Sequence, residues 1–266
     1  MRNIEKKNCV NSLIDVLENK NQINCFTNIY DDFSLIEAYE ISSEIKTIRQ
    51  KNSNVIGRKL GFTNKSLMND YNIDEIIIGY MFENTVFKNK DFNLSSYCEP
   101  KIEPEMIFKI KKPIDSSMTD HELLNCISHY TFGFEIVQSA FKNWKFKAPD
   151  TVAAFGLHGA LIFEKMTDLP RNSINEFLEF LNNFDLDLFC DGSLIEKGFS
   201  KNILNNNPLE ALRQMEIIIK KYNLSPLKSN DLVSTGTLTK PYNIKENQEW
   251  KIESKFKFLK NFVIKF

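Results

Sequence analysis

The chain has 266 residues, 42% of them hydrophobic, with 34 basic side chains set against 35 acidic ones. That length and apolar content suit one large domain, or a domain with a small cap. A net charge of −1 gives no reason to expect a nucleic-acid or membrane-surface partner, and no apolar run approaches the roughly 18 residues a bilayer span needs.

The segment MRNIEKKNCVNSLID lacks the apolar centre of a signal peptide. Cys9, Cys25, Cys98, Cys126 and Cys190 are odd in number and far apart, with no CxxC. They read as reduced thiols of a cytoplasmic protein without a zinc site. In chain order, Val10, Leu13, Ile14 and Leu17 have the spacing of an amphipathic helix. A second helix is predicted from Ser34, with Glu37 at capping-box distance and Ala38, Ile41, Ile45 and Ile48 as its buried stripe. GRKLG (57–61) reads as strand or loop, and EIIIGYMF (75–82) as a strand buried on both faces.

Capping-box spacing recurs at Thr119 and Glu122, ahead of an expected helical stripe of Leu123, Cys126, Ile127 and Tyr130, and again at Ser173 and Glu176. FDLDLFCDGSLI (184–195) alternates around Asp191-Gly192, a hairpin signal. Asn207-Pro208 is a helix start, and WKIESKFKF (250–258) reads as one alternating strand with Trp250, Ile252, Phe256 and Phe258 on one face. Helices and strands mix without a regular βαβ repeat, so the expected class is α+β with a mixed or antiparallel sheet.

The chemistry concentrates in KIEPEMIFKI (101–110) and TFGFEIVQSA (131–140). On a strand, Ile102, Met106 and Phe108 would face a core, and Glu103 and Glu105 would stand side by side on the other face. Pro104 removes a ladder donor and predicts an edge or a bulge. Glu135 is the single charge in an apolar run. An unpartnered buried carboxylate costs several kcal/mol, on the order expected for a lone buried charge, so it calls for a cation, a basic side chain or a proton. Three carboxylates without a His or Cys cluster suit a hard divalent ion, Mg²⁺ or Mn²⁺. The plainer alternative is the wet face of an amphipathic sheet, with Glu135 paired to a lysine.

The order of these segments resembles the 2-hydroxypenta-2,4-dienoate hydratases and 4-oxalocrotonate decarboxylases of the fumarylacetoacetate hydrolase superfamily. The resemblance is carried by GRKLGFTNKSL (57–67), IEPEMIF (102–108), FGFEIVQSAFKNWKFKAPDTVA (132–153), GFSKNILNNNPLEAL (198–212) and DLVSTGTLTKP (231–241). It implies a mixed β-roll with flanking helices and an N-terminal helical cap: residues 1–85 as cap and entry strands, 86–266 as the catalytic β-roll. It places Glu103, Glu105 and Glu135 on the metal-ligand carboxylates and Lys59 on the active-site lysine. Leu60, Ile77, Leu157 and Thr237 are expected against the substrate.

The chain departs from the family pattern at AFGLHG (154–159), where polar positions become Ala154, Phe155 and Leu157 and His158 stands in place of a small hydroxyl. EIIIG (75–79) likewise lacks the usual proline. His158 is therefore a candidate general acid or base, with a packed core histidine as the alternative. His121 and His129 read as surface residues.

The implied activity is a divalent-metal-dependent lyase on a 2-oxo or 2-hydroxydienoate acid, a hydratase first. The alternatives are a decarboxylase of a 4-oxalocrotonate-like acid, a variant with a bulkier apolar substrate, and a non-catalytic subunit of a hydratase–decarboxylase complex. The family also implies a homo-oligomer, with a pathway enzyme as a further partner.

Overall fold

A computed structural model of the chain describes residues 1–71, 73–88 and 92–266. The described helices are α1 (Asn3–Asn19), α2 (Leu35–Arg49), α3 (Lys65–Asp70), α4 (Asp120–Asn125), α5 (Ala148–Ala153), α6 (Ile174–Asn183) and α7 (Pro208–Lys221). The strands are β1 (Val55–Gly61), β2 (Ile77–Phe82), β3 (Val86–Phe87), β4 (Lys101–Ile110), β5 (Ile127–Val137), β6 (His158–Ile162), β7 (Thr167–Asp168), β8 (Asp185–Cys190), β9 (Ser193–Phe199), β10 (Leu232–Thr237), β11 (Tyr242–Asn243), β12 (Glu249–Glu253) and β13 (Phe262–Lys265).

Nine strands form one mixed sheet in the order β2-β1-β10-β4-β5-β6-β3, with β11 beside β4 and β7 beside β5. β1 runs parallel to β10, and β3 parallel to β6. A second sheet has the order β13-β12-β8-β9. The class is α+β, as expected. β1 and β2, which precede residue 86, are hydrogen-bonded into the same sheet as β4 and β5.

Local chemistry explains most element ends. Ser34 and Glu37 close a full capping box on α2, and Thr119 and Glu122 close another on α4. Asn207 caps α7 by accepting from the Leu209 N–H at 2.8 Å, with Pro208 at the first helical position. Asp191 and Gly192, both at positive φ, turn the β8–β9 hairpin.

Four local expectations fail. Ser173 makes no side-chain cap on α6. The helix from Thr119 ends at Asn125, and Ile127 and Tyr130 belong to β5, because pairing with β4 outweighs a helical stripe only six residues long. The tail strand ends at Glu253, so Phe256 and Phe258 lie beyond it and pack on Phe180 of α6. Pro104 is in an interior strand, between β5 and β10, and not at an edge.

The bulge half of that reading is correct. Between β4 and β10 the register slips, because Ile107 opposes Ser234 whereas Glu105 opposes Thr237. The Pro104 carbonyl accepts from the Leu238 N–H on this side, so its missing N–H faces the irregular edge of the ladder. Gly236, at φ +95°, sits in the slipped segment; a Cβ there would stand 1.8 Å from Thr63 Oγ1.

One contiguous core joins Ile102, Met106 and Phe108 of β4 to Leu186, Leu188, Trp250 and Ile252 of the small sheet and to the inward faces of the helices. The other face of β4 carries Glu103 and Glu105, then Ile107, which packs in a small cluster with Met81, Leu161, Phe163 and Leu232. The carboxylates therefore stand on a sheet face that becomes apolar two residues further along.

Candidate metal centre and active site

β4 and β5 bring the carboxylates together through register alone. Glu103 lies opposite Glu135, and Glu105 lies opposite Gly133. The three side chains each offer an oxygen within 4.8 Å of the others. Glu105 and Glu135 are 0% exposed and Glu103 is 8% exposed. The alternative of a wet sheet face is thereby overturned.

Each of the two fully buried carboxylates is held by one oxygen. Glu105 Oε2 accepts from the Ser234 hydroxyl and, at 3.0 Å, from the Gly236 N–H in the slipped segment of β10. Glu135 Oε1 pairs with His158 Nδ1 at 2.7 Å. Their other oxygens, Glu105 Oε1 and Glu135 Oε2, are buried without a hydrogen bond. Lys59 Nζ faces Glu135 Oε2 at 3.2 Å but outside hydrogen-bond alignment, and instead donates to the Gly156 carbonyl at 2.8 Å.

The charges are strongly perturbed. Burial raises the Glu103 carboxyl most, Lys59 pulls it down, and the neighbouring carboxylates raise it again, leaving it pushed up to about 8. Burial raises Glu105 well above the usual carboxylate range and raises Glu135, with Lys59 opposing. Burial works against the Lys59 ammonium, but Glu135, Glu103 and Glu105 outweigh it and hold Lys59 above its ordinary value. Burial, then the positive charges of Lys59 and Arg49, hold His158 well below its own. Three carboxyls face one contacting ammonium in a site shielded from water, where ionised carboxylates are costly without a further cation. Two carboxylate oxygens without a hydrogen bond converge there with Glu103, which makes none among the described residues. That donor set fits a hard divalent cation.

The turn at 155–157 shapes the position of the lysine. Phe155, Gly156 and Leu157 all have positive φ, a conformation costly for bulky side chains. The turn presents the Gly156 carbonyl to Lys59 and packs on Gly79 of β2, where any Cβ would lie 2.0 Å from the Phe155 carbonyl oxygen.

Beside the carboxylates lies a cavity of about 50 Å³. Lys59 and Glu103 reach it, and so do all four residues expected against a substrate: Leu60, Ile77, Leu157 and Thr237. Its outer wall is aromatic. Tyr71 stacks on Phe146 at 5.1 Å and 9°, with Phe62 and Trp144 on either side. His158 does not border this cavity. It stands behind Glu135, with Nε2 2.9 Å from Thr85 Oγ1. His121 is exposed, and His129 pairs with Asp168 at 3.1 Å away from the triad. Sequence reasoning missed Ser234, Gly236, Thr85 and the aromatic wall. STGT (234–237) carried the only visible signal for the first two, and Thr85 carried none.

No protein-family model matches the chain. It is 25% identical over 238 residues to a 2-keto-4-pentenoate hydratase of Paraburkholderia xenovorans, covering 88% of this chain and 85% of that protein. It is 24% identical over 184 residues to a 4-oxalocrotonate decarboxylase of Pseudomonas sp., covering 68% of each. The solved 4-oxalocrotonate decarboxylase of Pseudomonas putida G7, complexed with magnesium and adipate, superimposes with a TM-score of 0.89 at 17% identity, over 100% of this chain and 98% of that one. The fold is the one these solved structures share. In sequence the chain is similar to 2-keto-4-pentenoate hydratases and a 4-oxalocrotonate decarboxylase.

The site yields a direct test. Glu103→Gln keeps the shape and removes a charge that nothing but Lys59 and Lys101 opposes. Its Mn²⁺ affinity is expected to fall by more than about 100-fold, beyond the loss typical of an outer-shell partner, while its metal-free melting temperature stays level or rises. Titration calorimetry and thermal unfolding read the two, and undiminished Mn²⁺ binding would remove Glu103 from the ligand set.

Proposed function

We propose that this protein is a divalent-metal-dependent lyase of 2-oxo and 2-hydroxydienoate acids, acting first as a hydratase of the 2-keto-4-pentenoate type. The observation that carries the reading is the pair of fully buried oxygens on Glu105 and Glu135 without a hydrogen bond, converging with Glu103, which lines the adjoining cavity. These three carboxylates would hold Mg²⁺ or Mn²⁺. The ion supplies positive charge for the negative charge that develops on the substrate's 2-oxygen during reaction.

The chain's own groups do the rest. Lys59, fixed by the Gly156 carbonyl, presents an ammonium where a substrate carboxylate would enter, and can hold or deliver a proton at Nζ. Thr237 offers the cavity a hydroxyl beside it. Leu60, Ile77 and Leu157 line the remainder and keep bulk water from the reacting carbons. The same groups serve proton transfer, water addition and CO₂ loss alike, so decarboxylation of a 4-oxalocrotonate-like acid is the second reading.

Purified protein with Mn²⁺ or Mg²⁺ should bleach the dienol ultraviolet band of 2-hydroxypenta-2,4-dienoate and yield a product carrying one added water. CO₂ release from 4-oxalocrotonate instead would establish the second reading. Undiminished turnover in EDTA would sink both, and Lys59→Ala with unchanged kinetics would remove Lys59 from the site.

The aromatic outer wall of the cavity would set how long a substrate it admits. Phe146→Ala should open the wall and shift relative kcat/KM toward dienoates with a larger terminal substituent by about 10-fold or more. An unchanged ratio would show that Phe146 does not limit chain length.

The reading extends to a homo-oligomer. Leu194 and Ile195 are exposed on β9, the edge strand of the small sheet, and exposed apolar edges favour association. Sedimentation equilibrium should give a multiple of the chain mass; a monomer at micromolar concentration would refute this.

A further inference from the structure

We infer that His158 is a positioning residue, which with Thr85 behind it locks Glu135 into the orientation that leaves Oε2 free for the cation. The inference rests on the metal-site reading above and concerns what holds one of the ligands.

Both ring nitrogens of His158 are used inside the protein. Nδ1 lies 2.7 Å from Glu135 Oε1, and Nε2 lies 2.9 Å from Thr85 Oγ1. Thr85 is tied in turn to the backbone at the end of β2: its hydroxyl oxygen accepts from the Phe82 N–H at 3.1 Å and lies 2.9 Å from the Phe82 carbonyl. With Nδ1 against the carboxylate, Nε2 meets the Thr85 hydroxyl, whose one proton serves either Nε2 or the Phe82 carbonyl. The chain Glu135–His158–Thr85–Phe82 thus runs from the carboxylate to the main chain without a solvent-exposed member.

The ring does not line the reaction cavity. It borders a separate space of about 10 Å³ with Leu13, Val16 and Leu17 of α1 and with Ala154 and Phe155. A general acid or base must come within hydrogen-bond reach of the proton it moves, and both ring nitrogens of His158 are engaged inside the protein. What the ring can do is fix its neighbour. A glutamate side chain has several rotamers, and a pinned Oε1 restricts them and so restricts where Oε2 stands within the carboxylate cluster. Glu105 is fixed in the same way by Ser234 and Gly236, whereas Glu103 makes no hydrogen bond among the described residues. The site therefore pairs two fixed ligands with one adjustable ligand, and His158 is what fixes the second.

Three proteins test this: wild type, His158→Gln and Thr85→Val, each titrated with Mn²⁺ and followed by the electron-spin-resonance signal of the free ion. The expected result is a 10–100-fold loss of Mn²⁺ affinity in His158→Gln, and a smaller loss in the same direction in Thr85→Val, which leaves the Glu135 contact in place. At saturating Mn²⁺, KM for the 2-oxo acid should stay near the wild-type value. Unchanged Mn²⁺ affinity in folded His158→Gln would overturn the assignment. So would a kcat collapse at saturating Mn²⁺ with unchanged affinity, which would mark the ring as an acid or base. If His158→Gln fails to fold, Thr85→Val decides by the same criterion. Failure of wild type itself to bind Mn²⁺ would instead remove the metal-site reading on which the inference stands.

Discussion

Three carboxylates share one dry spot, and much of the surrounding structure answers that single electrostatic problem. Unpartnered, each buried charge would cost several kcal/mol, an order-of-magnitude figure for ions in protein interiors. The sheet distributes the compensation. β1 contributes Lys59, β10 contributes Ser234 and the Gly236 N–H, and β6 contributes His158. These donors come from both flanks of the β4–β5 pair, which is why the pair must be interior. An edge strand could supply donors from one side only. The parallel pairing of β1 with β10 has the same consequence, because it sets Lys59 level with Ser234 and so brings both to the carboxylates.

The slipped register between β4 and β10 follows from the same need. A regular ladder would point the β10 amides at β4 carbonyls. Pro104 has no N–H to offer, and Gly236 can adopt φ +95°; together they release one amide to turn onto a side-chain oxygen instead. The strained 155–157 turn is the counterpart on the other flank. Its positive φ values aim a carbonyl at Lys59 and hold the ammonium beside Glu135 rather than on it.

Much of this was legible from composition and pattern. A charge in an otherwise apolar strand is a costly choice, and Glu103, Glu105 and Glu135 were conspicuous for that reason. Ser34, Thr119 and Asn207 declared helix starts because their hydrogen bonds close within four residues, where local sequence suffices. What stayed hidden depends on contacts between distant segments. Thr85 looks like any surface threonine until Phe82 and His158 surround it. Ile127 and Tyr130 have helical spacing after Leu123, but the β4 ladder claims them. Pro104 suggested an edge because the pattern could not show β10 arriving with a glycine at the needed place. His158 was visible as an anomaly, yet whether it faced a substrate or a ligand depended on which side of Glu135 the loop delivered it.

The division of labour between triad and wall follows. Glu105 and Glu135 are held by fixed partners, and on the reading proposed above the three carboxylates would bring the substrate only charge, so proton transfer, hydration and decarboxylation would be equally available to them. Discrimination must reside in groups that touch the remainder of the substrate, and here those are mostly apolar: Leu60, Ile77 and Leu157 from within, and Phe62, Tyr71, Trp144 and Phe146 across the outside. Apolar walls distinguish guests by volume, at roughly 1–3 kcal/mol per methylene. With so few hydrogen-bonding groups on that wall, size is the main filter. A triad that supplies only charge, behind such a wall, can keep one reaction type while the wall alone changes which acid is accepted.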